Sequence, residues 1–308
     1  MTVGIGVDVG GTHIACCGVN LETGELIKES YNSVHVDSKA TKNEIFEAWA
    51  RPINSTYATL INDHEIEGVG FGMPGAFNYR RGIGLFKGND KYESLYKVNV
   101  AKEFLEYLPS PALNIRFIND ATAFAVGSSW MGQIGYGKRS ISITLGTGFG
   151  SSFIEDFAPV VSGDEVPQFG CMWHLPFKEG RADEYFSTRW FVNTYEKITG
   201  KRLKGVKEII ELGEEKLVHE LFSDFADNLA EFLMPWLKKF APDLLIVGGN
   251  ISRAWSRIEP RLLEHFNAKN IGINIEISQL MQDAAISGSA RLLVESYWRT
   301  VKDDLPEN

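Results

Sequence analysis

Apolar residues fall into short runs that end in glycine, threonine or a lone carboxylate. Residues 2–9 read as a buried strand closed by Gly10-Gly11, residues 14–20 as a second strand, and residues 25–33 as a third after the Thr23-Gly24 turn. Three strands in succession make a meander, unlike the strand–helix alternation of a dinucleotide fold. Spaced apolar groups (Ile45, Phe46, Trp49, Ile53, Tyr57, Leu60) predict a helix over 41–62, with a break or kink at Pro52. A strand over 66–72 is closed by Gly72-Met73-Pro74-Gly75, and helix is expected over 98–108. Residues 115–118 predict a strand ending at Asn119-Asp120, where a small-residue helix begins. The run 140–154 predicts a hairpin around Gly146-Thr147-Gly148, followed by helices over 181–198 and 217–240. A strand over 243–247 ends in Gly248-Gly249-Asn250, and a final helix is expected over 282–301. These elements predict a smaller N-terminal α/β lobe over 1–118 and a larger C-terminal α/β lobe over 119–289. The C-terminal helix, about 290–302, packs back on the first lobe, helped by the small side chains of Ala284, Ala285, Gly288, Ser289 and Ala290. The polar tail after Lys302 is expected to fray.

Composition narrows the class. The 308 residues are 44% apolar and 23% charged, as in an ordinary folded protein that buries a sizeable core. A net charge of -9 argues against a nucleic-acid surface, but not against anionic ligands held by backbone N–H groups. No apolar run approaches membrane-span length, and the start lacks the features of a secretion signal. Three cysteines are too few and scattered for a disulfide framework. Cys16 and Cys17 are adjacent in a strand and so face opposite ways, and no zinc spacing is present. A reducing cytoplasm is the expected compartment.

The glycine turns carry the candidate chemistry. The dinucleotide fingerprint fails twice, with Val9 and Ser151 where a third glycine belongs and no helix following. The phosphate-loop pattern from Gly132 to Lys138 fails at Arg139 and lacks a preceding strand. Gly10-Gly11 would serve as a plain hairpin turn. Asp8, however, ends a run of Val, Ile and Gly, and burying a carboxylate unpaired is costly. Holding a hydrated Mg²⁺ near a phosphate would account for it, with Thr12 adding a hydroxyl. The segments Asp8–Thr12, Gly146–Gly150 and Gly248–Asn250 all follow apolar strands, where backbone amides can cradle phosphates. Gly248-Gly249 also leaves room for an adenine ring. Two such turns, one in each half, predict two lobes gripping a phosphorylated ligand. Asp120 has two readings that its local pattern leaves open: an N-cap, or a general base for a substrate hydroxyl, with Asn119 beside it orienting a sugar hydroxyl.

Taken in order along the chain, these segments resemble the ROK family of bacterial sugar kinases. Asp8-Val9-Gly10-Gly11-Thr12 resembles its first phosphate motif, and Gly70-Phe71-Gly72-Met73-Pro74-Gly75 its sugar-side loop. Asn89 resembles the substrate asparagine, and Asn119-Asp120-Ala121-Thr122-Ala123 the catalytic segment with Asp120 as base. Leu145-Gly146-Thr147-Gly148-Phe149-Gly150 resembles the second phosphate motif, and Val247-Gly248-Gly249-Asn250-Ile251 the adenosine-side motif. The resemblance implies a two-lobed actin-like ATPase (ribonuclease H-like) α/β fold. It also implies transfer of the ATP γ-phosphate to a hexose hydroxyl, most often the 6-hydroxyl, with Mg²⁺ near Asp8 through water.

The departures bear on substrate. His174 matches the sugar-contacting histidine, but Cys171 replaces a glutamate. Asp183 falls at the place of the sugar-binding glutamate, with Glu184 one step off, and the family's zinc cysteines are missing. Aromatic packing by Trp173, Phe177, Tyr185 and Phe186 is expected to order the segment in place of zinc. The sugar set is therefore Gly75, Asn89, Asn119, Asp120, His174 and Asp183. Glucose leads, with N-acylhexosamines and fructose as alternatives. The expected partner is a small sugar, with no nucleic acid and no membrane; a homodimer is compatible. A sugar-sensing regulator or inactive binding protein is the competing class, although the chain starts at its first strand with no preceding helix-turn-helix. A chaperone-like ATPase of the same superfold would have no use for Asn89, Asn119, Asp120 and His174.

Overall fold

The computed structural model describes residues 1–88, 91–133 and 138–307, so Asn89 lies outside the described residues. The chain divides into two compact units. The first comprises Met1–Tyr136, Asp156–Pro159 and Leu280–Asn308, and the second Gly137–Glu155 and Val160–Gln279.

The first unit opens with the expected meander, β1 (Thr2–Val9), β2 (His13–Asn20) and β3 (Leu26–His35). Helix α1 (Lys42–Leu60) follows, then β4 (Glu65–Met73), the ribbon strands β5 (Phe77–Asn78) and β6 (Ile83–Gly84), and short α2 (Val100–Glu103). Strand β7 (Asn114–Asn119) leads directly into α3 (Asp120–Ser128). The sheet order is β3-β2-β1-β4-β7, with β1, β4 and β7 parallel. β1 is an almost unbroken buried run, as expected of a strand covered on both faces. Cys16 meets Thr56 of α1 at 3.3 Å, whereas Cys17 packs with Ile286 and Ala290 from the chain's C-terminal region. α1 begins at a Thr41/Glu44 capping box and continues through Pro52 without the expected break. The helix expected over 98–108 is α2 followed by a 3₁₀ turn at Phe104–Tyr107.

The second unit contains the hairpin β8 (Arg139–Leu145) and β9 (Phe149–Glu155); the two-residue strand β10 (Ala158–Pro159) that follows in the chain belongs to the first unit. A ribbon of β11 (Pro176–Phe177) and β12 (Gly180–Arg181) precedes α4 (Ala182–Tyr185), α5 (Thr188–Thr199), α6 (Val206–Leu212) and α7 (Glu215–Phe240). Strand β13 (Leu244–Gly248), helix α8 (Glu259–Ala268) and strand β14 (Asn274–Ile277) complete the unit. Its sheet runs β9-β8-β13-β14, with β8, β13 and β14 parallel. α7 buries Val218, Leu221, Phe222, Phe225, Leu229, Phe232 and Leu233 along one stripe.

The chain then returns to the first unit as α9 (Met281–Arg291) and α10 (Glu295–Val301), two helices where one was expected over 282–301. A Cβ on Gly288 would lie 1.9 Å from the Ala123 carbonyl oxygen, and one on Gly127 1.8 Å from that of Ala284. α3 and α9 thus meet backbone to backbone, which is why residues 119–136 belong to the first unit and not, as the sequence predicts, to the second. All of α9 belongs there too, beyond the predicted stretch from about 290. The tail does not fray: Tyr79 N–H donates to the Pro306 carbonyl at 3.1 Å, and Leu305 is buried. Among the described residues no helix is long and apolar enough to cross a membrane.

Candidate functional site

In the first unit, strand register brings the candidate chemistry to one sheet edge. Asp8 pairs across from Gly72, and Met73 from Asn119, so the carboxyl ends of three parallel strands lie side by side. Such edges are where open α/β sheets bind ligands. Asp8, Gly10-Gly11-Thr12, Gly75, Asn119 and Asp120 all sit on or just beyond it.

The first turn is tightly held. Gly10 N–H donates to the His13 carbonyl at 2.9 Å, and Tyr92 Oη donates to the Gly10 carbonyl at 2.6 Å. The Thr12 hydroxyl lies exposed, 3.5 Å from His13 Nδ1. Burial pushes the Asp8 carboxyl up from the ordinary range, opposed by a hydrogen bond from Gln282 Nε2 to Oδ2 at 3.0 Å. Tyr31 Oη donates in turn to Gln282 Oε1 at 3.1 Å. An oxygen donor set of one carboxylate and a neighbouring hydroxyl fits Mg²⁺, which keeps several waters and takes few protein ligands.

Asn119, not Asp120, caps α3. Its Oδ1 accepts the Ala121 and Thr122 amides at 3.1 and 3.2 Å. Its Nδ2 donates to Tyr79 Oη at 3.1 Å, and Tyr79 Oη donates to the Met73 carbonyl at 3.3 Å. Asp120 is the first helical residue and accepts the Ala121 amide at 2.8 Å. Burial raises its carboxyl from 3.8 to about 6, against the hydrogen bond from Ala121 and with a smaller upward push from Asp8. A carboxylate at that value is ionised near neutral pH yet holds a proton readily, as a general base must.

In the second unit the turn between β8 and β9 closes with Gly146 N–H donating to the Gly148 carbonyl at 3.0 Å. The Gly146 carbonyl accepts both the Thr188 amide, at 2.8 Å, and its hydroxyl, at 2.9 Å. Thr147 at the tip is exposed. Gly248 pairs with Thr144 in the sheet, so the β13 turn lies next to this one. Gly249 has φ +85°, and a Cβ there would fall 2.4 Å from the Leu145 carbonyl oxygen, so only glycine fits. Asn250 follows, exposed, at the start of a 3₁₀ turn.

Asp183 is bound into this arrangement. Its Oδ1 accepts the Phe149 amide at 2.8 Å, Arg189 pairs with Oδ2, and its own amide donates to the Trp173 carbonyl at 3.1 Å. Glu184 is paired with Arg181 at 3.5 Å. His174 is half-buried, with Nδ1 3.8 Å from Cys171 Sγ, and burial lowers its pKa. Burial pushes the Cys171 thiol up to about 12, so it is a neutral group. Phe177, Tyr185 and Phe186 join an aromatic cluster with Phe149 and Phe232: Phe186–Phe232 centroids are 5.0 Å apart and Phe149–Phe186 5.2 Å. Trp173 stays 40% exposed beside His174 and is not part of that cluster. Among the described residues no three His, Cys, Asp or Glu side chains are grouped to hold a metal ion.

Sequence reasoning passed over Gln282, Tyr79, Tyr92 and Arg189. Each acts through a contact distant along the chain, except Arg189, which lies six residues after its partner.

The ROK family model matches residues 4–296. A glucokinase from Thermotoga maritima is 23% identical over 320 residues, covering 94% of this chain and 97% of its own. An N-acetyl-D-glucosamine kinase from Photobacterium profundum is 26% identical over 288 residues, covering 84% and 89%. The fold is similar to that of a ROK family glucokinase from Streptomyces griseus, solved with glucose and AMPPNP, at a TM-score of 0.73 and 23% identity over 95% of this chain and 99% of that one.

Proposed function

This chain belongs to the ROK family, and from that premise we propose that it is an ATP-dependent kinase that phosphorylates a hexose hydroxyl, with the 6-hydroxyl of glucose as the first candidate. The observation that carries the reading is the division of labour at the start of α3. Asn119 takes the Thr122 amide and shares the Ala121 amide with Asp120, whose carboxyl burial still raises to about 6 at the sheet edge it shares with Asp8.

The sugar hydroxyl oxygen attacks the γ-phosphorus. A new oxygen–phosphorus bond forms as the bond from the γ-phosphorus to the β,γ-bridging oxygen breaks, and that electron pair leaves with ADP. The hydroxyl proton passes to the Asp120 carboxylate. Asn119, fixed by Tyr79, keeps Asp120 at the helix start. Asp8, steadied by Gln282, would hold Mg²⁺ through water, and the metal would neutralise charge on the phosphate oxygens. The Gly10 and Gly146 amides close their own turns, so the amides of Gly11, Thr12, Thr147 and Gly148 would serve the phosphates, and Gly248-Gly249-Asn250 the adenosine.

His174 has a neutral imidazole with one donor and one acceptor, suited to sugar hydroxyls. The neutral Cys171 thiol beside it is a weak donor and acceptor, so the far edge of the sugar receives no carboxylate from this position. N-acylhexosamines and fructose therefore stand beside glucose in the test. A coupled ADP-release assay with ATP–Mg²⁺ across glucose, N-acetylglucosamine, N-acetylmannosamine, mannose and fructose should show stimulation by at least one. Sugar binding without stimulated ADP release would instead place the chain among sugar-sensing or inactive binding proteins.

A further inference from the structure

The first unit carries a cation at its glycine turn that the mechanism above leaves unused. A Cβ built on Gly11 would lie 2.8 Å from Lys91 Nζ, 2.9 Å from Cε and 3.2 Å from Cδ. The lysine side chain therefore lies flat across the open face of Gly11, where a side chain would displace it. Its neighbour fixes the approach. Tyr92 is fully buried with φ 56°, its amide donates to the Ser38 carbonyl at 2.7 Å, its hydroxyl to the Gly10 carbonyl at 2.6 Å, and its ring packs on Trp49 at 5.5 Å. The main chain at Lys91 is thus tied to the same turn that its ammonium covers. Among the described residues no carboxylate pairs with this ammonium. It is exposed on its outer side, beside a hollow it lines with Ser38, Lys39, Glu93 and Ser94.

A plain surface lysine would be expected to extend into water, since its ammonium is strongly hydrated and its stem has many rotamers. Here an ammonium with no carboxylate partner among the described residues rests on the Gly10–Thr12 turn, at the sheet edge that holds Asp8. Charge-assisted bonds to phosphate are among the strongest hydrogen bonds available to such a group.

We propose that Lys91 is a phosphate-binding catalytic residue: its ammonium contacts the terminal phosphate of the nucleotide at the Gly10–Thr12 turn and neutralises charge as the phosphoryl group moves. The proposal rests on the kinase reading above. Lys91 keeps its proton throughout and neither forms nor breaks a bond; it adds a positive charge where phosphate oxygens gather negative charge.

The test uses Lys91→Met, which keeps the apolar stem over Gly11, and Lys91→Arg, which keeps the charge. Calorimetry with AMP, ADP and ATP in the presence of Mg²⁺ is the main readout, alongside steady-state kinetics. Lys91→Met should weaken ATP about tenfold and leave AMP within about twofold, because only the terminal phosphate has lost its partner. Its kcat should fall about a hundredfold with little change in sugar KM, and Lys91→Arg should recover part of both losses. An unchanged preference for ATP over AMP in folded Lys91→Met protein would overturn the proposal, as would an equal loss of AMP and ATP. If wild-type protein binds nucleotide but phosphorylates no sugar, the kinase reading fails, and the AMP-to-ATP series still decides Lys91. If wild-type protein binds no nucleotide, both fail.

Discussion

Asp183 Oδ1 accepts the Phe149 amide at 2.8 Å, which fastens the turn between β8 and β9 to the segment that carries His174. With Arg189 on its second oxygen, the carboxylate is committed to the protein on both sides. By resemblance this position belongs to a sugar-binding acid. The bond to Phe149 points to a different duty, shaping the loop read as the second phosphate site.

Asp183→Ala should accordingly raise the KM for ATP about tenfold or more and change the sugar KM less, since the Phe149 amide loses a charged acceptor. Asp183→Asn, which keeps an acceptor, should lie between. Steady-state kinetics with each substrate varied will separate the roles. A rise confined to the sugar KM would return Asp183 to the sugar.

Asp120→Asn should lower kcat by about a hundredfold or more while calorimetry shows sugar binding largely kept. With its carboxyl raised to about 6, wild-type kcat/KM should fall below that pH with a one-proton slope. The stability effect has the opposite direction. A folded carboxyl raised above its ordinary value binds its proton more tightly than the unfolded chain does, so stability falls as pH rises from about 3.8 toward 6 and stays lower above. Asp120→Asn should therefore melt a few degrees higher than wild type at pH 7.5, roughly 2–5 °C, with the gap closing near pH 4. A variant that loses stability at pH 7.5 and keeps its turnover would mean that Asp120 is structural.

Much of this layout was legible because strands covered on both faces leave plain signals. β1 and β13 are mostly apolar, β4 becomes so after Glu67, and β8 alternates serine with isoleucine; each ends close to a glycine, and the residues around that turn are the candidate ligands. The cap was harder: Asn119 and Asp120 are both good caps, and only the geometry of the β7–α3 junction decides between them. β14 is four residues with alternating half-burial, and α8 is short and strongly charged, so neither rises above loop in periodicity. The domain boundary was misplaced because the small residues of α3 and α9 signal close approach without naming the partner. Asp183 shows the limit of resemblance: position can be carried over while the bonds, here to Phe149 and Arg189, depend on the fold.

Asp8→Ala should weaken use of ATP–Mg²⁺ more than it weakens sugar binding, visible as a shifted magnesium titration of the rate. Because the Asp8 charge helps to raise Asp120, the acid limb of the pH profile should also move to lower pH in this variant. Gln282→Leu removes the hydrogen bond to Asp8 Oδ2 and should produce a milder form of the same magnesium effect. A normal rate with unchanged magnesium dependence in Asp8→Ala would remove Asp8 from the metal.

Zinc should play no part in ordering residues 164–187. That stretch offers one cysteine and one histidine, Cys171 and His174, where a structural zinc site needs four ligands, and burial keeps the Cys171 thiol protonated at neutral pH. The segment is held instead by Phe177 and Phe186 packed on Phe149 and Phe232, and by the Met172 amide donating to Ser151 Oγ at 2.7 Å. Phe186 is fully buried and touches four other rings, so Phe186→Ala should cost about 3–5 kcal/mol, a large share of a domain's stability. Treatment with EDTA should leave the melting temperature unchanged, and protein purified without chelator should contain no stoichiometric zinc. One zinc per chain, or a chelator-induced loss of several degrees, would mean that the metal rather than the aromatic cluster staples the segment, and the roles given to His174 and Asp183 would have to be reassigned.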